Sequence, residues 1–255
     1  MLAGLAASAL MGTEGRAASA ANTYLELKTW RLRNTPEDQG ARVADYLEGG
    51  LATGLSRAGA QLIGAFSNVI APDGPYYISL AQYPSLGVMQ EVLTKLGSDG
   101  AYQQELQKLS AGPGLPFVRV DSSLLRSFDG MPAASVPESA EKRPPRIFEL
   151  RTYESQSFIT LARKIGMFNS GEMGIFERLG MRPVFFGETI IGSRQPSLTY
   201  MLSYDDLTAR ENLWHDFGSD PEWKKLSGRP ELRDSEIVAN ISNVILRPLT
   251  FSAIR

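Results

Sequence analysis

The chain has no cysteine and a single histidine, His215, among its 255 residues. Disulfides, thiolate catalysis, cysteine-ligated zinc and iron–sulfur clusters are therefore excluded, as is any site that needs two imidazoles. Charge of one sign is also missing. The 26 basic residues stand against 28 acidic ones, the formal net charge is −2, and no block of like charge occurs. Nothing builds the positive field that a phosphate backbone requires, so no nucleic-acid partner is expected. Long apolar runs are absent too: the ten residues from Leu2 to Met11 are the longest, and a bilayer core needs about 20, so no integral membrane segment is expected. No nucleophile elbow, P-loop, dinucleotide fingerprint or carboxylate cluster with metal spacing is present. The sequence implies no cofactor and no metal.

What remains is an ordinary globular composition, 43% hydrophobic and 21% charged, long enough to bury a core without covalent staples. Residues Leu2 to Met11 followed by Ala18-Ser19-Ala20 have the order of an export signal, with cleavage expected after Ala20 and the basic n-region lying upstream of Met1. This places the protein outside the cytoplasm, periplasmic or extracellular; an Ala-rich tail is the other reading of residues 1–22.

After residue 23 the chain reads as one module written twice. Leu25-Glu26-Leu27-Lys28-Thr29-Trp30 matches Phe148-Glu149-Leu150-Arg151-Thr152-Tyr153. At a shift of about 121 positions, Ser56-Arg57-Ala58-Gly59 faces Glu177-Arg178-Leu179-Gly180, Ser98 to Tyr102 faces Ser219 to Trp223, and Leu124-Leu125-Arg126 faces Ile245-Leu246-Arg247. The copies span residues 23–128 and 146–255, and the Pro-rich stretch 129–145 between them has linker composition.

Within each copy, periodicity gives the order of elements. Residues 24 to 31 alternate as a strand, and Thr35-Pro36-Glu37-Asp38 offers a cap, a first-turn proline and first-turn acids for a helix. That helix carries the stripe Val43, Leu47, Leu51, Leu55 and Ala58. Its counterpart carries Phe158, Leu161, Ile165, Phe168, Ile175 and Leu179, and each stops at a glycine, Gly59 or Gly180. Strands follow at 61–70 and 76–83, or 183–191 and 197–204. Then come a helix from Leu86 or Leu207, a shorter helix at 101–109 or 221–227, and a closing strand at 119–128 or 241–251. The order β-α-β-β-α-β is the ferredoxin-like unit of an α+β protein. Two tandem copies can bring their bare sheet faces together as a monomeric pseudo-dimer that closes a barrel within one chain, with a ligand between the sheets, and further self-association through the remaining sheet edges stays open.

Strand alternation puts Glu26, Lys28 and Trp30, and likewise Glu149, Arg151 and Tyr153, on one face. With Phe148, Leu150 and Thr152 assigned to the helices, these six residues are expected to line the inter-sheet cavity and hold a small organic ligand by charge and stacking. The same residues have a structural account as well, in which the acid and base pair with each other and the aromatic covers apolar surface. His215 is the sole candidate for an imidazole proton shuttle or haem ligand, but helical spacing turns it about 100° from Trp214, away from the stripe of Leu207, Trp214 and Phe217. In Asp220-Pro221-Glu222-Trp223 the aspartate caps a short helix, the proline opens it and the tryptophan anchors it. Asp205 and Asp206 sit at a helix start, where negative charge suits the dipole.

These motifs carry a resemblance. Phe148 to Tyr153, Gly180-Met181, Arg210 to Phe217, Asp220 to Trp223 and Asn243 to Ser252 are similar to the NIPSNAP family over nearly all of residues 147–253. The first copy resembles it more loosely, since Trp214 and Phe217 have no aromatic counterparts there. The resemblance implies a dimeric α/β-barrel fold and no particular activity. Two functional expectations follow. The first is an exported protein that binds a small molecule or a partner, with its cavity between the sheets. The second is a cofactor-independent monooxygenase or isomerase acting on a small aromatic substrate; a haem role would rest on His215 alone.

Overall fold

The structure, a computed structural model, describes residues 21–136 and 146–255. The expected export signal and the second part of the expected linker lie outside the described residues.

The first half runs β1 (Tyr24–Arg31), α1 (Gln39–Asp45), a π-helical turn (Tyr46–Ala52), α2 (Thr53–Ala58), β2 (Gln61–Ile70) and β3 (Tyr76–Tyr83). It ends with α3 (Leu86–Ser98), α4 (Gly100–Ala111) and β4 (Arg119–Ser127). The second half repeats the order: β5 (Ile147–Glu154), α5 (Phe158–Met167), a π-helical turn (Phe168–Glu172), α6 (Met173–Arg178), β6 (Arg182–Ile191) and β7 (Ser197–Tyr204). It continues with α7 (Leu207–Ser219), α8 (Pro221–Ser227), a 3-10 turn (Pro230–Leu232), α9 (Asp234–Ile237) and β8 (Asn240–Pro248). Gly59 and Gly180, both at positive φ, end the long helices as expected.

One helix start and the burial of two residues differ from expectation. The first helix begins at Gln39, where the Asp38 carboxylate accepts from the Ala41 amide, rather than at Pro36. Phe158 and Leu207, assigned to buried stripes, are 66% and 45% exposed. Each follows directly on its helix cap, Ser157 or Asp206, and so precedes the turn that meets the sheet.

All eight strands join edge to edge in one closed barrel, in the order β1-β3-β2-β8-β5-β7-β6-β4, with β4 returning to β1. The two sheets expected to meet face to face are thus walls of one continuous sheet. The halves meet where β2 pairs with β8 and β4 with β6. The chain after each closing strand crosses to the other half. The Phe128 amide donates to the Phe186 carbonyl and that of Ser135 to Val184, while Leu249 donates to Ala65 and Ile254 to Ile63. Residues 129–136, read as linker, are in this way part of the barrel wall and its end closure.

Helices cover the outside. Between them and the sheet lies one core per half, with Val43, Leu47, Leu55 and Leu96 in the first, and Phe168, Phe176, Phe186 and Tyr200 in the second. A third core plugs the lumen at one end, built from Leu25, Phe66, Phe148, Phe185, Met201 and Leu246, with Ile254 of the tail. Each such side chain gains roughly 1.5–3 kcal/mol on full burial.

Candidate functional site

The second-half motif sits on the opposite face from the one expected. Phe148 and Leu150 point into the lumen plug, and Glu149, Arg151 and Tyr153 point outward beneath the helices. The reason is the closed barrel. Its narrow plugged end takes large apolar groups from every strand, and α7 brings polar partners to the other face.

Those partners are Arg210 and Trp214, four residues apart and so on one face of α7. Glu149 is fully buried. It accepts from Arg210 Nε at 3.0 Å and Nη2 at 2.6 Å, Trp214 Nε1 at 2.9 Å, Arg151 Nη1 at 2.8 Å, Asn243 Nδ2 at 2.9 Å and the Tyr204 hydroxyl at 3.3 Å. Burial alone would raise the pKa of this carboxyl. The hydrogen bonds from Arg210 and Asn243 and the Arg151 and Arg210 charges outweigh it and bring it down to about 2. Arg151 stacks over Trp214, 4.4 Å from the ring centre, and donates to the Tyr153 hydroxyl, which meets that of Tyr200 at 2.9 Å. Burial pushes the Tyr200 hydroxyl well above the usual phenol range.

Beside this cluster lies a pair that sequence periodicity does not single out. Lys164 and Glu172, both buried, meet at 2.9 Å, and the ammonium lies over the rings of Phe168, Tyr153 and Trp223. Burial pushes the Glu172 carboxyl up. On Lys164 burial acts downward, but the charge of Glu172 holds its pKa above the ordinary value.

The first-half triplet is held more simply and lies on a different wall. Lys28 pairs with Glu26 at 2.9 Å, the Tyr83 hydroxyl donates to Glu26 at 3.2 Å, and the Trp30 indole donates to Ser79 at 2.9 Å. At the positions of Arg210 and Trp214 this half has Met89 and Leu93, so α3 brings no guanidinium or indole to the carboxylate. The six predicted residues thus form two separate outer clusters, with the acid and base of each strand paired to each other. His215 is exposed on α7. Asp220 accepts from the Glu222 and Trp223 amides as expected, and Trp223 packs on Phe217 at 4.4 Å.

The lumen has its own chemistry at the unplugged end, where a cavity of about 430 Å³ opens to solvent. Leu27, Leu125, Leu150 and Val244 form its floor. Thr29, Ser123, Thr152, Thr189, Thr199 and Ser242 line its walls with hydroxyls. At the rim Arg31 lies 4.8 Å from the ring centre of Tyr76 and bonds Asp121 at 3.1 Å, while Arg194 donates to Ser242 at 3.0 Å. Burial would raise the Asp121 carboxyl, but Arg31 and Arg119 hold it below its usual range. The signal in the sequence was the threonine in each first-strand motif, Thr29 and Thr152, which breaks the apolar alternation on the lumen face. Among the described residues no three acidic or imidazole side chains gather as a metal site would require.

Residues 148–253 match the model of the NIPSNAP family. This stretch is similar to the NIPSNAP family. The Glu149 cluster with Arg151, Tyr153, Arg210 and Trp214 lies within the matched stretch. Solved structures share the architecture over about nine-tenths of the chain. A proposed monooxygenase from Lactobacillus acidophilus NCFM superposes with a TM-score of 0.58 at 9% identity, over 89% of this chain and 94% of that one. A proposed monooxygenase from Fusobacterium nucleatum gives 0.56 at 10% identity, over 90% and 94%. At these identities the likeness shows the fold, a mixed α+β barrel, and nothing of the chemistry. A NIPSNAP-like domain protein from Burkholderia xenovorans is 23% identical over 42% of this chain and 88% of its own, with a TM-score of 0.37. Comparison with curated protein sequences finds no match.

Proposed function

We propose that the protein binds a small polar organic molecule in the open end of its barrel. The observation that carries this is the 430 Å³ lumen cavity, apolar below, hydroxyl-lined along its walls and flanked at the rim by Arg31 and Arg194. Such a lining orients a ligand through several neutral hydrogen bonds and favours a partial or full negative charge at the mouth. The proposal keeps the ligand between the two halves and moves it from the Glu149 face to the Thr29 face. Glu149, Arg151 and Tyr153 then serve it indirectly, by fixing β5 against α7.

The barrel is further read as two tandem ferredoxin-like units closed into an intramolecular pseudo-dimer, supported by the same element order in both halves and the reciprocal crossing of their tails. An exported location remains part of the proposal, on the order of Leu2–Met11 and Ala18-Ser19-Ala20. N-terminal sequencing of the host-made protein tests it, and a chain retaining Met1 would contradict it.

Fold kinship with proposed monooxygenases supports an enzymatic alternative acting on an aromatic substrate. The lumen favours binding over it. Asp121, the carboxylate at the rim, is held ionised by two guanidiniums, and burial pushes the Tyr76 hydroxyl up, so neither is a ready base at neutral pH. The test is native mass spectrometry of protein purified from its host, beside a Thr29→Phe variant that fills the cavity. The expected result is an added mass on the wild type that the variant lacks; an added mass kept by the variant would place the ligand elsewhere.

A further inference from the structure

We propose a second ligand site on the outer wall of the first half, shaped for a small arylalkanoic acid: a flat apolar body carrying one carboxylate. A cavity of about 330 Å³ lies there between β1, β4 and α4. Trp30 is its floor. Leu106 and Leu109 of α4 form one side, and Phe117 and Val120 the other, with Lys28 at the rim. Trp30 and Phe117 already meet edge to face, 5.5 Å between ring centres, the arrangement that a third aromatic ring extends most readily.

Hydrogen bonding in the slot selects the ligand class. The Trp30 indole N–H is spent on Ser79, and the Ser110 hydroxyl donates to the Leu106 carbonyl at 2.9 Å. Both donors are engaged within the protein, so the part of a ligand that enters the slot should be apolar. The Lys28 ammonium has three donors, and Glu26 takes one at 2.9 Å. It is a quarter exposed, on a stem long enough to follow a carboxylate at the rim. An ammonium with donors to spare beyond its pairing with Glu26, set beside an apolar slot, can meet the carboxylate of a hydrophobic anion.

Comparison of the halves shows why the slot exists only here among the described residues. In the second half Tyr153 takes the place of Trp30, and the chain between α8 and β8, residues 228–239, folds into the 3-10 turn and α9. Leu232, Ile237 and Val238 pack into that half's core, and Lys164 lies over the Tyr153 ring. In the first half the connection is only residues 112–118; its Phe117 packs on Trp30 and forms one side of the slot, and the rest of the space is left open.

The experiment is calorimetric titration of the full chain with 1-naphthylacetate and its neutral analogue 1-naphthaleneethanol. Wild type should bind the acid in preference to the alcohol. Lys28→Met, which keeps the stem and removes the charge, should weaken the acid about tenfold or more and leave the alcohol unchanged. Leu106→Trp, which fills the slot, should abolish both. The lumen variant Thr29→Phe should change neither, which separates this site from the barrel cavity. Equal binding of the acid to wild type and Lys28→Met, or binding kept by a folded Leu106→Trp, would overturn the proposal. So would absence of heat up to millimolar acid, including the case of a dimer in which a second copy occupies the slot.

Discussion

Glu149 shows how a single buried charge can organise a wall. Its carboxylate joins β5 to α7 through Arg210 and Trp214, to β8 through Asn243 and to β7 through Tyr204. Glu149→Gln leaves buried guanidiniums short of a counter-charge, so it should cost about 3–5 kcal/mol in chemical denaturation at neutral pH. The sign of the pH dependence follows. A carboxyl held at about 2 in the folded state, against an ordinary 4.5, contributes stability that is complete above the ordinary value and lost as pH falls towards 2. The loss is on the order of 3 kcal/mol. Denaturation midpoints measured between pH 7 and pH 2.5 should fall steeply for wild type and more shallowly for the Gln variant. The Lys164–Glu172 pair behaves differently, because burial works against both charges. Lys164→Met with Glu172→Leu should be less destabilising than either change alone, a non-additivity that a double-mutant cycle reads directly. From sequence the strand motif stood out, but its outward direction did not: the partners that let Glu149 be buried beneath the helices are distant in the chain, Arg210 being sixty-one residues on.

Among the elements, strand and helix limits were legible because alternation and capping are local signals. The π turns were not. Lys164 and Glu172 are eight residues apart, which on a regular α-helix leaves them about 80° out of line. The wider turn Phe168–Glu172 takes up the difference and brings both to one face. A 3.6-residue template misses Glu172 for that reason. The first-half turn depends on Gly50, where a Cβ would lie 2.8 Å from the Tyr46 ring and 2.9 Å from Glu105 Cβ. Gly50→Ala should cost about 1–3 kcal/mol through overpacking. At Gly59 a Cβ would meet nothing within 4 Å, but φ is +98°. Gly59→Ala should therefore cost only about 1 kcal/mol, from backbone strain alone. Thermal unfolding of the two variants checks both, with Gly50→Ala expected to be at least as destabilising as Gly59→Ala.

For the whole molecule, the closed barrel expected from the sequence is present as one ring of eight strands. How the halves close was not readable, because the tails after β4 and β8 have loop-like composition and act only by crossing to the other half. Ile254 is fully buried in the lumen plug, and Ser252 bonds the Ala65 amide. A chain ending at Pro248 should lose this closure and show a clearly lowered denaturation midpoint, with faster amide exchange in β2. The lumen these tails close at one end is the centre of the account. The most direct test is a crystal structure of protein purified from its own host without added ligand. The account predicts density for a bound organic molecule in the open end of the barrel, in contact with the Thr29 and Thr152 hydroxyls and reaching towards Arg31 and Arg194. A lumen holding ordered water alone would contradict it.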